Sequence, residues 1–131
     1  MTARIAVLAI DALDPVAVAD FWSAALGWPV VERSEEGISL APDDGVRGHG
    51  AWPTIDVLPV PERKSVKNRL HLDLRADGTS TEAEVERLVA LGARRVDVGQ
   101  AADSTWTVLA DPEGNEFCVL LRTVQQVEAE G

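Results

Sequence analysis

The strongest constraint in this sequence is that its two halves repeat one another. From an aliphatic run at 4–10 the first half reads strand, helix, strand, strand, strand, and from an alternating run at 69–75 the second half reads the same order. The punctuation repeats too. Leu26 and Gly27 close the first helix as Leu91 and Gly92 close the second, and the Leu-Ala-Pro-Asp-Asp-Gly turn at 40–45 answers Leu-Ala-Asp-Pro-Glu-Gly at 109–114. Duplication of one such unit implies an α+β fold.

Local chemistry places the elements. Asp14 as N-cap and Pro15 at the first helical position open a helix over 15–26, with Val18, Phe21, Trp22, Ala25 and Leu26 at helical spacing. Trp22 and Trp28 read as core. Short strands follow at 29–33, 37–41 and 52–58, and the proline-rich 59–65 is a connector. In the strictly alternating 69–75, Leu70, Leu72 and Leu74 share one face, and Arg69, His71, Asp73 and Arg75 the other. Thr81 with Glu84 forms a capping box for a helix carrying Val85, Leu88 and Val89. Strands at 94–98, 105–110 and 116–122 complete the second half, and 128–131 is a frayed end.

Composition bounds the function. With 131 residues, 46% of them hydrophobic, the chain suits a single domain, 1–131, made of modules at about 1–60 and 66–123. A net charge of −10 argues against nucleic acid or an anionic membrane as partner. No apolar run approaches the ~20 residues of a membrane span. Asp11 and Asp14 interrupt the N-terminal apolar run, so no signal peptide is expected. Cys118, the only cysteine, forms no internal disulfide, which points to the cytoplasm.

Three stretches, 14–28, 67–74 and 106–120, resemble the glyoxalase-like, bleomycin-resistance-type branch of the vicinal oxygen chelate superfamily. The resemblance implies paired βαβββ modules forming a curled mixed sheet around a cavity, helices outside. Leu70, Leu72, Leu74, Phe117, Val119 and Leu121 would then face the helices, and His71, Asp73, Arg75, Glu116 and Cys118 the cavity. It also implies a homodimer and a small-molecule ligand or substrate.

Metal-dependent members of that superfamily usually place His, Gln or Glu ligands on the first and fourth strands of each module. Here His71 falls at the first-strand position of the second module and Cys118 at the fourth-strand position. The matching residues of the first module are Val7 and Leu58, with Asp56 the alternative one pleat away. Such a set lacks the donors of a Mg, Mn or Fe site, so no cofactor is expected. Were a divalent metal present, His71 with Cys118 and Asp56 would hold it; zinc on the His71/Cys118 pair would need help from Asp56, Asp73 or His49. Cys118 is then a small residue on the cavity wall or, alternatively, a thiolate nucleophile.

What remains is a pocket. His71 and Asp73 are the candidate acid/base pair, because a carboxylate orients an imidazole; the plainer alternative is a strand histidine satisfied by its neighbour. Trp52, His49, Arg75, Trp106, Glu116 and Cys118 are the candidate ligand-binding residues, with the glycine-rich 42–51 as a flap. Arg69 and Arg75 are equally suited to pair with Asp73 and Glu116. Three functions fit this set: a metal-independent protein binding a hydrophobic or aromatic molecule, a lyase or isomerase using His71 and Asp73, and a metal-dependent lyase or dioxygenase.

Overall fold

A computed structural model describes residues 1–43, 52–97, 99 and 106–131. The chain divides into two compact units, Met1–Arg63 and Lys64–Gly131. In the first unit β1 (Val7–Ala12) leads into α1 (Pro15–Leu26), followed by β2 (Val30–Ser34), β3 (Gly37–Leu40) and β4 (Thr54–Pro59). The sheet order is β1-β4-β3-β2, with β1 parallel to β4 and the other pairs antiparallel.

The first helix forms as its sequence dictates. Asp14 accepts the Ala17 N–H at 3.2 Å, Pro15 supplies a preset φ, and Gly27 ends the helix at φ 68°, a left-handed conformation that glycine adopts without strain. Val18, Ala19, Phe21, Trp22 and Ala25 are buried on α1, and Ile38, Leu40, Ile55 and Val57 are buried on the strands beneath it. Phe21 and Trp22 meet edge to face at 5.2 Å. Each of the larger of these side chains removed from water contributes roughly 1.5–3 kcal/mol, and each alanine less. Trp22 is thus core, while Trp28 is only partly buried.

The second unit runs β5 (Asp73–Leu74), α2 (Thr81–Leu91), β6 (Arg94–Arg95), β7 (Trp106–Ala110), β8 (Glu116–Leu120) and α3 (Val124–Glu130), with sheet order β5-β8-β7-β6. Phe117, Val119 and Leu109 are buried on its strands and Val85 and Leu88 on α2. The element order of the first unit recurs, as the repeat predicts.

Several local expectations are corrected. Ser80, not Thr81, caps α2, accepting the Ala83 N–H at 3.1 Å, while the Thr81 hydroxyl donates to the Leu121 carbonyl at 2.7 Å. The strand expected over 69–75 pairs only at Asp73 and Leu74, leaving Leu70 87% exposed, and Leu121 is also exposed, beyond the last ladder pair. The tail expected to fray carries α3, opened by a capping box in which Thr123 and Gln126 satisfy each other's backbone N–H groups.

Candidate functional site

Strand pairing brings three of the sequence candidates together in the second unit. Asp73 stands directly opposite Cys118 across the parallel β5–β8 ladder, and the Cys118 N–H donates to the Leu72 carbonyl at 2.9 Å. Residues two apart on an extended chain point the same way, so His71 shares the face of Asp73. His71 Nε2 lies 3.1 Å from Asp73 Oδ1, with both side chains roughly half exposed. One ligand atom each from His71, Asp73 and Cys118 lies within 4.8 Å of the other two.

The electrostatics of the trio separate its members. Burial pushes the Cys118 thiol pKa up, and the Asp73 carboxylate, which also hydrogen-bonds the thiol, pushes it further; the Lys67 ammonium acts the other way without reversing the shift. A thiol held protonated at neutral pH is a poor nucleophile, so the thiolate reading gains no support. The carboxylate accepts from the thiol and lies 3.1 Å from the imidazole Nε2. This arrangement orients His71 for hydrogen bonding or proton transfer.

Beside the trio lies a network that sequence reasoning missed. Lys64 Nζ lies 2.9 Å from Glu116 Oε1 and donates to Oε2 at 3.0 Å, the Asn68 N–H donates to Oε1 at 3.3 Å, and the Asn68 amide donates to Asn115 Oδ1 at 2.8 Å. Burial opposes ionisation of Glu116, but these donors outweigh it and its pKa is lowered. Asp111, buried in the turn before β8, accepts the N–H groups of Glu113 and Asn115 and the Asn115 amide at 2.9–3.0 Å. Lys64, at the end of the segment read as a connector, and Asn68 just beyond it are therefore tied to the start of β8. No short-range spacing signals a contact between residues 52 apart.

Arginine does not hold the site's carboxylates in the way the alternation suggested. Arg75 donates to the Arg122 carbonyl at 2.9 Å, while Asp73 pairs with His71 and Glu116 with Lys64. Trp106 does share the sheet face of the trio. It sits opposite Leu120, two residues along from the Val108–Cys118 pair, and is 41% exposed. Two strand spacings separate β7 from β5, about 10 Å.

Trp52 and Asp56 belong to the first unit, and His49 lies outside the described residues together with 44–51 of the expected flap. Trp52 is exposed just before β4, and Asp56 accepts the Ser39 hydroxyl at 2.8 Å. A pocket of about 240 Å³ in this unit is lined by Glu32, Ser34, Ser39, Asp56 and Leu58, among others.

Comparing the two ladders settles the repeat register. Ile55 and Val57 pair with Leu40 and Ile38, while Phe117 and Val119 pair with Leu109 and Thr107. The residues between them, Asp56 and Cys118, are therefore counterparts, with Ala9 and Asp73 as their parallel partners. Asp56, not Leu58, matches Cys118, and Val7 still matches His71. The superfamily's usual metal calls for a set of imidazole, amide and carboxylate donors. Here one such position holds a valine and another a thiol, and the residues do not fit that hard-ion site.

The sequence and the fold both have known counterparts. The family model described as a glyoxalase-like domain matches residues 7–120. No curated protein matches the sequence. Among solved structures, a fosfomycin resistance protein from Mesorhizobium loti matches with TM-score 0.65 at 10% identity, covering 98% of each chain. A glyoxalase/bleomycin resistance protein/dioxygenase family enzyme from Burkholderia phytofirmans PsJN matches at 0.62 and 22% identity, covering 89% of this chain and 97% of its own. An antibiotic binding protein from Streptomyces sp. CB03234 matches at 0.60 and 17% identity, covering 91% and 95%.

Proposed function

The chain belongs to the glyoxalase-like domain family, and we propose that it binds a small hydrophobic or aromatic organic molecule on the sheet face of its second unit, without the superfamily's usual metal. The observation that carries this reading is the exposed indole of Trp106 on the same face as His71 and Asp73, whose Nε2 and Oδ1 lie 3.1 Å apart. An apolar platform two strands across the sheet from a polar pair, and offset along the strands from it, suits a flat molecule with one polar end. That structural neighbours include an antibiotic binding protein and a fosfomycin resistance protein agrees with a binding or resistance role.

The 3.1 Å contact between His71 and Asp73 favours a second reading, a lyase or isomerase in which Asp73 orients His71 as acid/base. Screening aromatic natural products by tryptophan fluorescence separates the two. Saturable binding weakened tenfold or more by Trp106→Ala supports the proposal, and binding indifferent to that substitution refutes it. Turnover abolished by His71→Ala would establish the second reading.

The functional form in this proposal is a cytoplasmic homodimer. Val7, exposed on edge strand β1, and Ile5, exposed just before it, support association. Sedimentation at monomer mass would contradict it.

A further inference from the structure

The mismatch between this donor set and the superfamily's usual one has its own chemistry. We propose that His71, Asp73 and Cys118 form a three-donor site for a thiophilic divalent ion, zinc above all, contained entirely within the second unit.

The geometry supports this directly. The three ligand atoms lie within 4.8 Å of one another. Zinc holds nitrogen, oxygen and sulfur at about 2.0–2.3 Å, which puts neighbouring donors on one ion ~3.3–3.8 Å apart. Closing that gap takes a shift of about 1–1.5 Å at most, within reach of the half-exposed His71 and Asp73 side chains. Cys118 is fixed by its ladder position opposite Asp73, so the backbone already sets two of the three donors.

Charge and donor type agree. Binding releases the Cys118 thiol proton to solvent; a neutral imidazole, a carboxylate and the resulting thiolate then balance a divalent cation, and a mixed nitrogen, oxygen and sulfur set favours zinc or cobalt over magnesium and manganese. This departs from the superfamily pattern in two ways: a thiol replaces a carboxylate, and the third donor, Asp73, comes from beside His71 rather than from the first unit. A three-residue site leaves a coordination position open to water or a ligand. The inference does not rest on the organic-ligand reading, since that reading needs Trp106 and this one does not.

The test is a titration of the chelator-treated full chain with Co²⁺, followed by absorbance. Expected are a sulfur-to-cobalt charge-transfer band in the near ultraviolet at one equivalent, its displacement by Zn²⁺, and no displacement by a large excess of Mg²⁺. Cys118→Ser should abolish the band, and the near-isosteric Asp73→Asn should weaken cobalt affinity tenfold or more while circular dichroism stays unchanged. Absence of the band in the wild-type chain, or cobalt affinity unaltered in folded Asp73→Asn, overturns the proposal. Organic-ligand binding that survives in Cys118→Ser would leave the preceding reading intact whichever way the metal result falls.

Discussion

Asp73 and Cys118 are direct partners across the β5–β8 ladder, so a carboxylate is held against a buried thiol. Burial and that negative charge both disfavour the thiolate. In the metal-free chain Cys118 should therefore react with an alkylating reagent more slowly at pH 7–8 than a free thiol does. Asp73→Asn removes the charge and should speed the reaction roughly two- to tenfold, tenfold corresponding to one pKa unit. Measuring the alkylation rate against pH in both proteins checks this, and identical profiles would contradict it.

The Lys64–Glu116 pair predicts an acid limit. A carboxylate whose folded pKa lies below its ordinary 4.5 stabilises the fold above that value, and this contribution fades as pH falls toward and through the folded pKa. Urea unfolding should show stability declining below about pH 4.5. Lys64→Met should cost about 1–3 kcal/mol at pH 7, because Glu116 keeps its charge in a largely buried place while losing its cation. The same substitution should flatten the acid dependence.

Asp111 organises the turn that delivers Glu116 and Cys118. Its two oxygens accept three N–H donors, so Asp111→Ala should cost at least about 2 kcal/mol and lower the urea midpoint. Asp111→Asn should cost less, since one amide oxygen still accepts two of the three. Equal midpoints for wild type and Asp111→Ala would show that the turn is held by other contacts.

Gly37 opens β3 at φ 157°, and a Cβ there would lie 2.9 Å from both the Val57 carbonyl oxygen and Leu58 Cδ2. The side chain can move but the carbonyl belongs to the neighbouring strand. Gly37→Ala should destabilise the first unit by about 1–3 kcal/mol, read by thermal or urea unfolding. A neutral substitution would mean the β3–β4 ladder yields more readily than a paired central strand should.

Periodicity and punctuation were sufficient for much of the fold. The helix over 15–26 is legible because cap, proline and glycine are all local signals, and the repeat is legible because both copies keep the same turns. Local signals also misled where a ladder partner decides the outcome. The alternation of Leu70, Leu72 and Leu74 reads as a long strand, yet only Asp73 and Leu74 find partners on β8. Thr81 fits a capping pattern, but Ser80 takes that role once Thr81 bonds the Leu121 carbonyl. The Thr123 to Gln126 spacing is a visible capping box, but Val124 and Val127 alone make too short an apolar stripe to mark a helix.

By itself the sequence determined the duplicated α+β architecture, the helix boundaries of the first copy and the shared face of His71 and Asp73, because each depends on residues close in the chain. Tertiary structure alone decided that Cys118 stands directly opposite Asp73, that Lys64 rather than an arginine holds Glu116, and that Asp56 is the counterpart of Cys118. Those facts depend on strand register and on residues about 50 positions apart. A shift of one residue in a ladder moves every side chain to the opposite face, and nothing local to either strand records which register the assembled sheet adopts.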